Sequence, residues 1–216
     1  MSSIYASAST PVKVMTYNVD EGTDFAAIIG VFNNPNATAA DFGAAVQATE
    51  SEVQNSQPLV RMGLVAGEIA AAQPDLVGLQ EVAVWNFPNG QIDLLQLILA
   101  GLPNYTAVVT VPEFQINIPG LVGFMDREVI LARTDEPALQ IIATGEGHYS
   151  AQVPLPAFPP LNLPASSIKR GWGYVNARMN GTPFRFITTH LEDGTNPISP
   201  LFAFVQALQE ISIRPR

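Results

Sequence analysis

The run Leu76-Val77-Gly78-Leu79, fenced by Pro74-Asp75 on one side and Gln80-Glu81 on the other, constrains the fold more than any other stretch of the sequence. It is too short for a helix and apolar at consecutive positions, the pattern of a strand buried on both faces. Such a strand needs a covering layer on each side of its sheet. One cover is adjacent: Met62, Val65, Ile69 and Ala72 recur at helical spacing, and Pro74 stops that helix near Gln73. Gln80 and Glu81 then fall at the strand's C-terminal end, where a rigid sheet meets adaptable loops.

Two other runs end the same way. Residues 12–18 form a β-rich segment, read as a buried strand, that delivers Asn18 to its edge before Asp20-Glu21-Gly22 turns away. Residues 171–179 and 184–190 are β-like and joined through Asn180-Gly181, a strong hairpin signal, so His190 lands at a strand end with Glu192 just beyond. Asp93 opens a helix with Leu94, Leu95, Ile98, Leu99 and Leu102 on one face, and further strands are predicted at 105–111, 128–132 and 139–144. Residues 153–164 hold five prolines and read as a stiff loop, not a strand. Residues 113–123, with Phe114, Ile116, Ile118, Leu121 and Val122, read as apolar packing on the sheet. Residues 24–57, rich in Ala, Asn and Gln, read as an irregular insertion with a short helix, and a last helix begins at Leu201.

Composition narrows the function classes. With 216 residues, 47% of them hydrophobic and 13% charged, the chain buries a core and reads as one globular domain over residues 1–216. Nineteen acidic against 10 basic residues, a formal charge of −9, oppose capture of nucleic-acid phosphates by a broad basic surface. No cysteine is present, which excludes disulfides, zinc ribbons and thiol catalysis. The first residues lack the basic start and apolar middle of a secretory signal, and no apolar segment reaches the roughly 20 residues a bilayer demands. A soluble protein is the expectation; its compartment is not legible.

The three polar-ended segments carry a resemblance. Met15-Thr16-Tyr17-Asn18, Pro74-Asp75-Leu76-Val77-Gly78-Leu79-Gln80-Glu81 and Thr188-Thr189-His190-Leu191-Glu192 resemble, in order and wide spacing, the first three signature segments of the endonuclease/exonuclease/phosphatase superfamily, which includes deoxyribonuclease I and neutral sphingomyelinases. The resemblance implies an α+β fold, a four-layered αββα sandwich, and hydrolysis of a phosphodiester or phosphomonoester by metal-activated water. It implies that Glu81 binds Mg²⁺, or another divalent cation such as Mn²⁺ or Ca²⁺, with Asn18 beside it as a metal or phosphate contact. His190 matches the Thr-His-Leu histidine that lies against the scissile phosphate, held by an acidic residue of a neighbouring strand, here Asp126 or Glu128, with Asp126 favoured. Arg170 resembles the arginine that enters a strand near the phosphate, where a planar fork suits two-point contact. His148 matches no motif and reads as a surface residue.

Two further family segments, Gly-Asp-x-Asn and Ser-Asp-His, do not occur between Leu191 and Arg216. The expectation is therefore an incomplete second sheet, with marginal stability or self-association through its uncovered edge. It also opens an alternative: a non-catalytic fragment or binding protein that keeps the fold's first sheet. The substrate, whether DNA, a lipid headgroup or a small phosphate ester, stays open.

Overall fold

A computed structural model describes residues 11–192 and 200–213. Its larger sheet has six strands: β1 (Val14–Asn18), β2 (Leu76–Gln80), β3 (Val84–Phe87), β4 (Gly90–Asp93), β5 (Tyr105–Ile118) and β6 (Val122–Arg133). The pivot is β6, which pairs antiparallel with β2, β3 and β5. Only β1 and β2 run parallel, in a register that sets Asn18 opposite Gln80. A three-stranded sheet, in the order β11 (Thr182–Thr189), β10 (Gly171–Met179), β7 (Leu139–His148), packs against it.

The doubly buried strand is realised in β2, all five of whose residues are buried. Val77 and Leu79 join the large core shared with the helices, while Leu76 joins the smaller core between the sheets, with Val109, Val111, Ile130, Ala132, Val175 and Ala177. Truncating Leu79 to Ala costs about 2–5 kcal/mol on the usual scale for a sealed core. Gly78 is a point of close approach between the sheets. A Cβ there would lie 2.7 Å from Thr188 Oγ1, a collision neither strand has room to avoid.

The covering helices are α1 (Ala26–Phe32), α2 (Ala39–Asn55), α3 (Pro58–Ala72) and α4 (Leu94–Ala100). Asp93 caps α4, as the sequence predicts, accepting from the N–H groups of Leu95 and Gln96 at 3.0 and 3.3 Å. Residues 24–57 depart from expectation. They are largely helical, and α2 opens on a reciprocal capping box between Thr38 and Asp41, then buries Phe42, Val46, Thr49 and Val53 along one stripe.

Three further differences have local causes. The hairpin β3–β4 escapes the sequence reading because its strands are only four residues long. The expected buried strand β1 lies at an edge of the larger sheet, and its residues are exposed or half-buried. The proline-rich stretch is not purely a loop: β8 (Val153–Leu155) pairs with β9 (Ser166–Ile168), with Pro154 opposite Ser167 in a two-stranded ribbon too small to require every ladder bond. The last helix, α5 (Pro200–Ile213), follows the expected start. Its buried Gln209 ties back to the body, accepting from Glu192 N at 2.8 Å and donating to Ala151 O at 3.2 Å. Among the described residues, no helix is long and apolar enough to cross a membrane.

Candidate functional site

Strand geometry brings the three polar ends together. Asn18 terminates β1, and its Oδ1 accepts from Asp20 N at 2.9 Å, a local turn that leaves Nδ2 free to point across the sheet edge. There it donates to Glu81 Oε1 at 2.7 Å. Glu81 itself takes a left-handed backbone, φ 59°, unusual for a residue with a Cβ and a strain that surrounding structure must hold. His190, at the end of β11, brings Nε2 to 3.6 Å from the same Glu81 oxygen.

Beneath them lies a half-buried arginine, Arg170, immediately before β10. Its Nη1 donates to Glu113 Oε2 at 2.8 Å and Asp126 Oδ2 at 3.2 Å, and lies 3.1 Å from His190 Nδ1. Its Nε and Nη2 reach Glu192 at 3.4 and 3.5 Å. The resemblance places Arg170 near phosphate and Asp126 or Glu128 against His190. In the structure Arg170 stands between Asp126 and the imidazole, and its donors face carboxylates. Both Asp126 and Glu128 lie on the same face of β6, as alternate residues must, with Glu128 fully buried and deeper.

Glu113 is the member that sequence reasoning missed. It is the extra residue of a bulge in β5, where Pro112 pairs with Arg127 and Phe114 with Asp126. The bulge turns its side chain inward to zero exposure, where Oε1 accepts from Gly171 N at 2.8 Å. The signal was the proline beside it, which breaks the alternation of an otherwise long strand. His148 ends β7 on the same bulge, with Nε2 2.7 Å from Pro112 O, and is exposed, as expected of a residue outside the site.

The electrostatics are lopsided. Six carboxylates, those of Glu21, Glu81, Glu113, Asp126, Glu128 and Glu192, converge on one arginine and one histidine. Burial raises Glu21 well above the ordinary carboxylate range, helped by the charges of Asp126 and Glu81. Burial also lifts Asp126, against the pull of Arg170. It pushes Glu113 up to about 7, and Glu128 up to about 10 with the charge of Glu113 added. For Arg170, burial opposes its charge, but Glu113, Glu192 and Asp126 outweigh that and raise it above its ordinary value. His190 is lowered to about 3 by burial and by Arg170. It is thus neutral at pH 7, and its approaches to Glu81 and Glu113 are not ion pairs despite their distances.

Two oxygens have nothing to bind: Asp126 Oδ1 and Glu21 Oε2 are buried without a hydrogen-bond partner. Unpaired buried acceptors are costly and rare, and a hard divalent cation satisfies such a set with oxygen ligands. Glu113, Asp126 and His190 bring ligating atoms within 4.8 Å of one another, but Arg170 Nη1 already lies within hydrogen-bond distance of all three. The unpaired oxygens, with Glu81 close by, therefore fit a hard divalent cation.

No protein-family profile and no curated protein matches the sequence. Solved structures do. A mannosyl-6-phosphatase of Bacteroides thetaiotaomicron VPI-5482 is 17% identical, with 94% of this chain and 59% of that one covered at a TM-score of 0.45. An endonuclease/exonuclease/phosphatase from Beutenbergia cavernae DSM 12333 is 20% identical, with 92% and 42% covered at 0.48. A humanized D. rerio TDP2 is 14% identical, with 94% and 57% covered at 0.44. The chain is similar to these in fold outline and spans 42–59% of their lengths. At such scores the likeness carries nothing about chemistry.

Proposed function

We propose that this chain carries the metal- and phosphate-binding half-site of a phosphoester hydrolase. The observation that supports it most is the convergence at the strand ends: Glu81 meets Asn18 at 2.7 Å and His190 at 3.6 Å, close to buried carboxylate oxygens with no hydrogen-bond partner. Glu81 and Asn18 would hold a divalent cation, with Asp126 and Glu21 adding negative charge. Bound there, the cation would offset the charge that develops on phosphorus and make a bound water more acidic. His190 presents a neutral imidazole edge toward a phosphate oxygen, and Asn18 aligns Glu81.

Mg²⁺-dependent release of p-nitrophenol from a mono- or diester, lost in Glu81→Ala, is the expected result. No hydrolysis of either ester by folded protein, with Mg²⁺, Mn²⁺ or Ca²⁺, contradicts it.

One observation favours a second reading. The sequence has two histidines, and His148 is committed to Pro112 O outside the site. His190, lowered to about 3, is a poor base for water. A module that binds cation and phosphate without turning it over would account for this, and calorimetry showing Mg²⁺-dependent phosphate binding without hydrolysis would distinguish it.

A further inference from the structure

The trio of Glu113, Asp126 and His190 has the spacing of a metal site, yet Arg170 Nη1 lies within hydrogen-bond distance of all three. A guanidinium has five N–H donors, no acceptor, and keeps its proton at any ordinary pH. At the 3.1 Å contact with His190, Arg170 must then be the donor and Nδ1 the acceptor. Nη1 carries two hydrogens for three acceptors, so one hydrogen is shared. An imidazole that accepts at Nδ1 in its neutral form carries its hydrogen on Nε2. That nitrogen faces Glu81.

Arg170 is itself fixed from below. The fully buried Glu113 binds Nη1 through one oxygen and the N–H of Gly171 through the other, locking the guanidinium to the first residue of the strand it precedes. Glu192 holds the other side of the fork.

We propose that Arg170, braced by Glu113, is a positioning residue that holds His190 as the Nε2–H tautomer, and that its guanidinium is the resident cation of the Glu113, Asp126 and His190 trio, in the place a metal would take. The metal-binding part of the site is then Glu81 with Asn18. Arg170 shapes the phosphate site through His190 and does not grip phosphate. What the Nε2–H group meets rests on the phosphoester reading; the tautomer does not.

The test needs no activity, so its failure is separable from failure of that reading. Long-range nitrogen–proton correlation spectra of the full ¹⁵N-labelled chain at pH 7 report the tautomer of each imidazole, and His148→Gln assigns the pair. The expected His190 pattern is a pyridine-like Nδ1 and a protonated Nε2. Arg170→Lys, which still offers a charged donor, keeps that pattern, and Arg170→Met loses its exclusivity to a mixture. Zn²⁺ added to the wild type leaves Nδ1 unmoved. A protonated Nδ1 in the wild type, or Zn²⁺ coordination through Nδ1, overturns the proposal, and both are read without any variant that must fold.

Discussion

The strand β2 separates two arginine clusters that match in charge and differ in how deeply their carboxylates are buried. At its start, Arg133 meets Asp75 at 3.5 Å, Asp135 at 3.3 Å and Glu136 at 2.5 Å. Past its end, Arg170 meets Glu113, Asp126 and Glu192. Each arginine thus faces three carboxylates. The Asp135 and Glu136 side chains, however, are 50 and 26% exposed and only Asp75, at 7%, is buried, whereas those of Glu113, Asp126 and Glu192 are 0, 8 and 4% exposed. Two of the three carboxylates of the first cluster reach solvent, so it serves as a peg at the sheet's edge. All three carboxylates of the second are buried, and Glu81 and Glu21 lie beside them, so the excess of negative charge there favours a cation. Charge count alone does not mark a site; burial does.

The sharpest way to break this contrast is to remove each arginine in turn. Arg170→Met strands buried carboxylates and is expected to cost about 3–5 kcal/mol, against about 1 kcal/mol or less for Arg133→Met, measured by urea unfolding. Equal losses would dissolve the distinction. A second test uses pH. Glu128 sits at about 10 in the fold against roughly 4.3 in an unfolded chain, so the folded state holds a proton that the unfolded state releases. Its contribution to stability is full below about 4.3 and is lost as pH rises toward 10, at no more than about 1.4 kcal/mol per pH unit. Glu128→Gln should flatten that slope and stabilise the protein at pH 8; an unchanged slope would show that Glu128 is not held neutral. The smallest effect concerns the tie between the sheets, where Gln80 Nε2 donates to Thr188 Oγ1 at 2.8 Å beside Gly78. Thr188→Val removes that acceptor and is expected to cost about 1 kcal/mol in thermal unfolding.

Much of the site was legible because its residues end short, sharply bounded runs. Asn18, Glu81 and His190 each follow an apolar strand, and a parallel or hairpin register carries them to one edge. The doubly buried β2 was legible for the same reason. Glu113 was not, since a bulge is a register event and leaves almost no mark in composition. Glu21 read as a turn residue because nothing local says that its carboxylate feels the charges of Asp126 and Glu81. The α2 stripe was diluted by alanines, which show little hydrophobic contrast even where Phe42, Val46 and Val53 are buried. What sequence could not supply at all was the placement of Arg170 between Asp126 and His190, which depends on two sheets meeting.

The central claim is that the strand-end cluster takes a divalent cation through Glu81, and thermal unfolding with and without Mg²⁺ tests it most directly. At about a hundredfold excess over the dissociation constant, binding should stabilise the wild type by about 2.7 kcal/mol, a rise of roughly 5–10 °C for a chain of this size. The rise should vanish in Glu81→Gln. A wild-type Tm that ignores Mg²⁺, Mn²⁺ and Ca²⁺, or a shift that survives Glu81→Gln unchanged, would contradict the account.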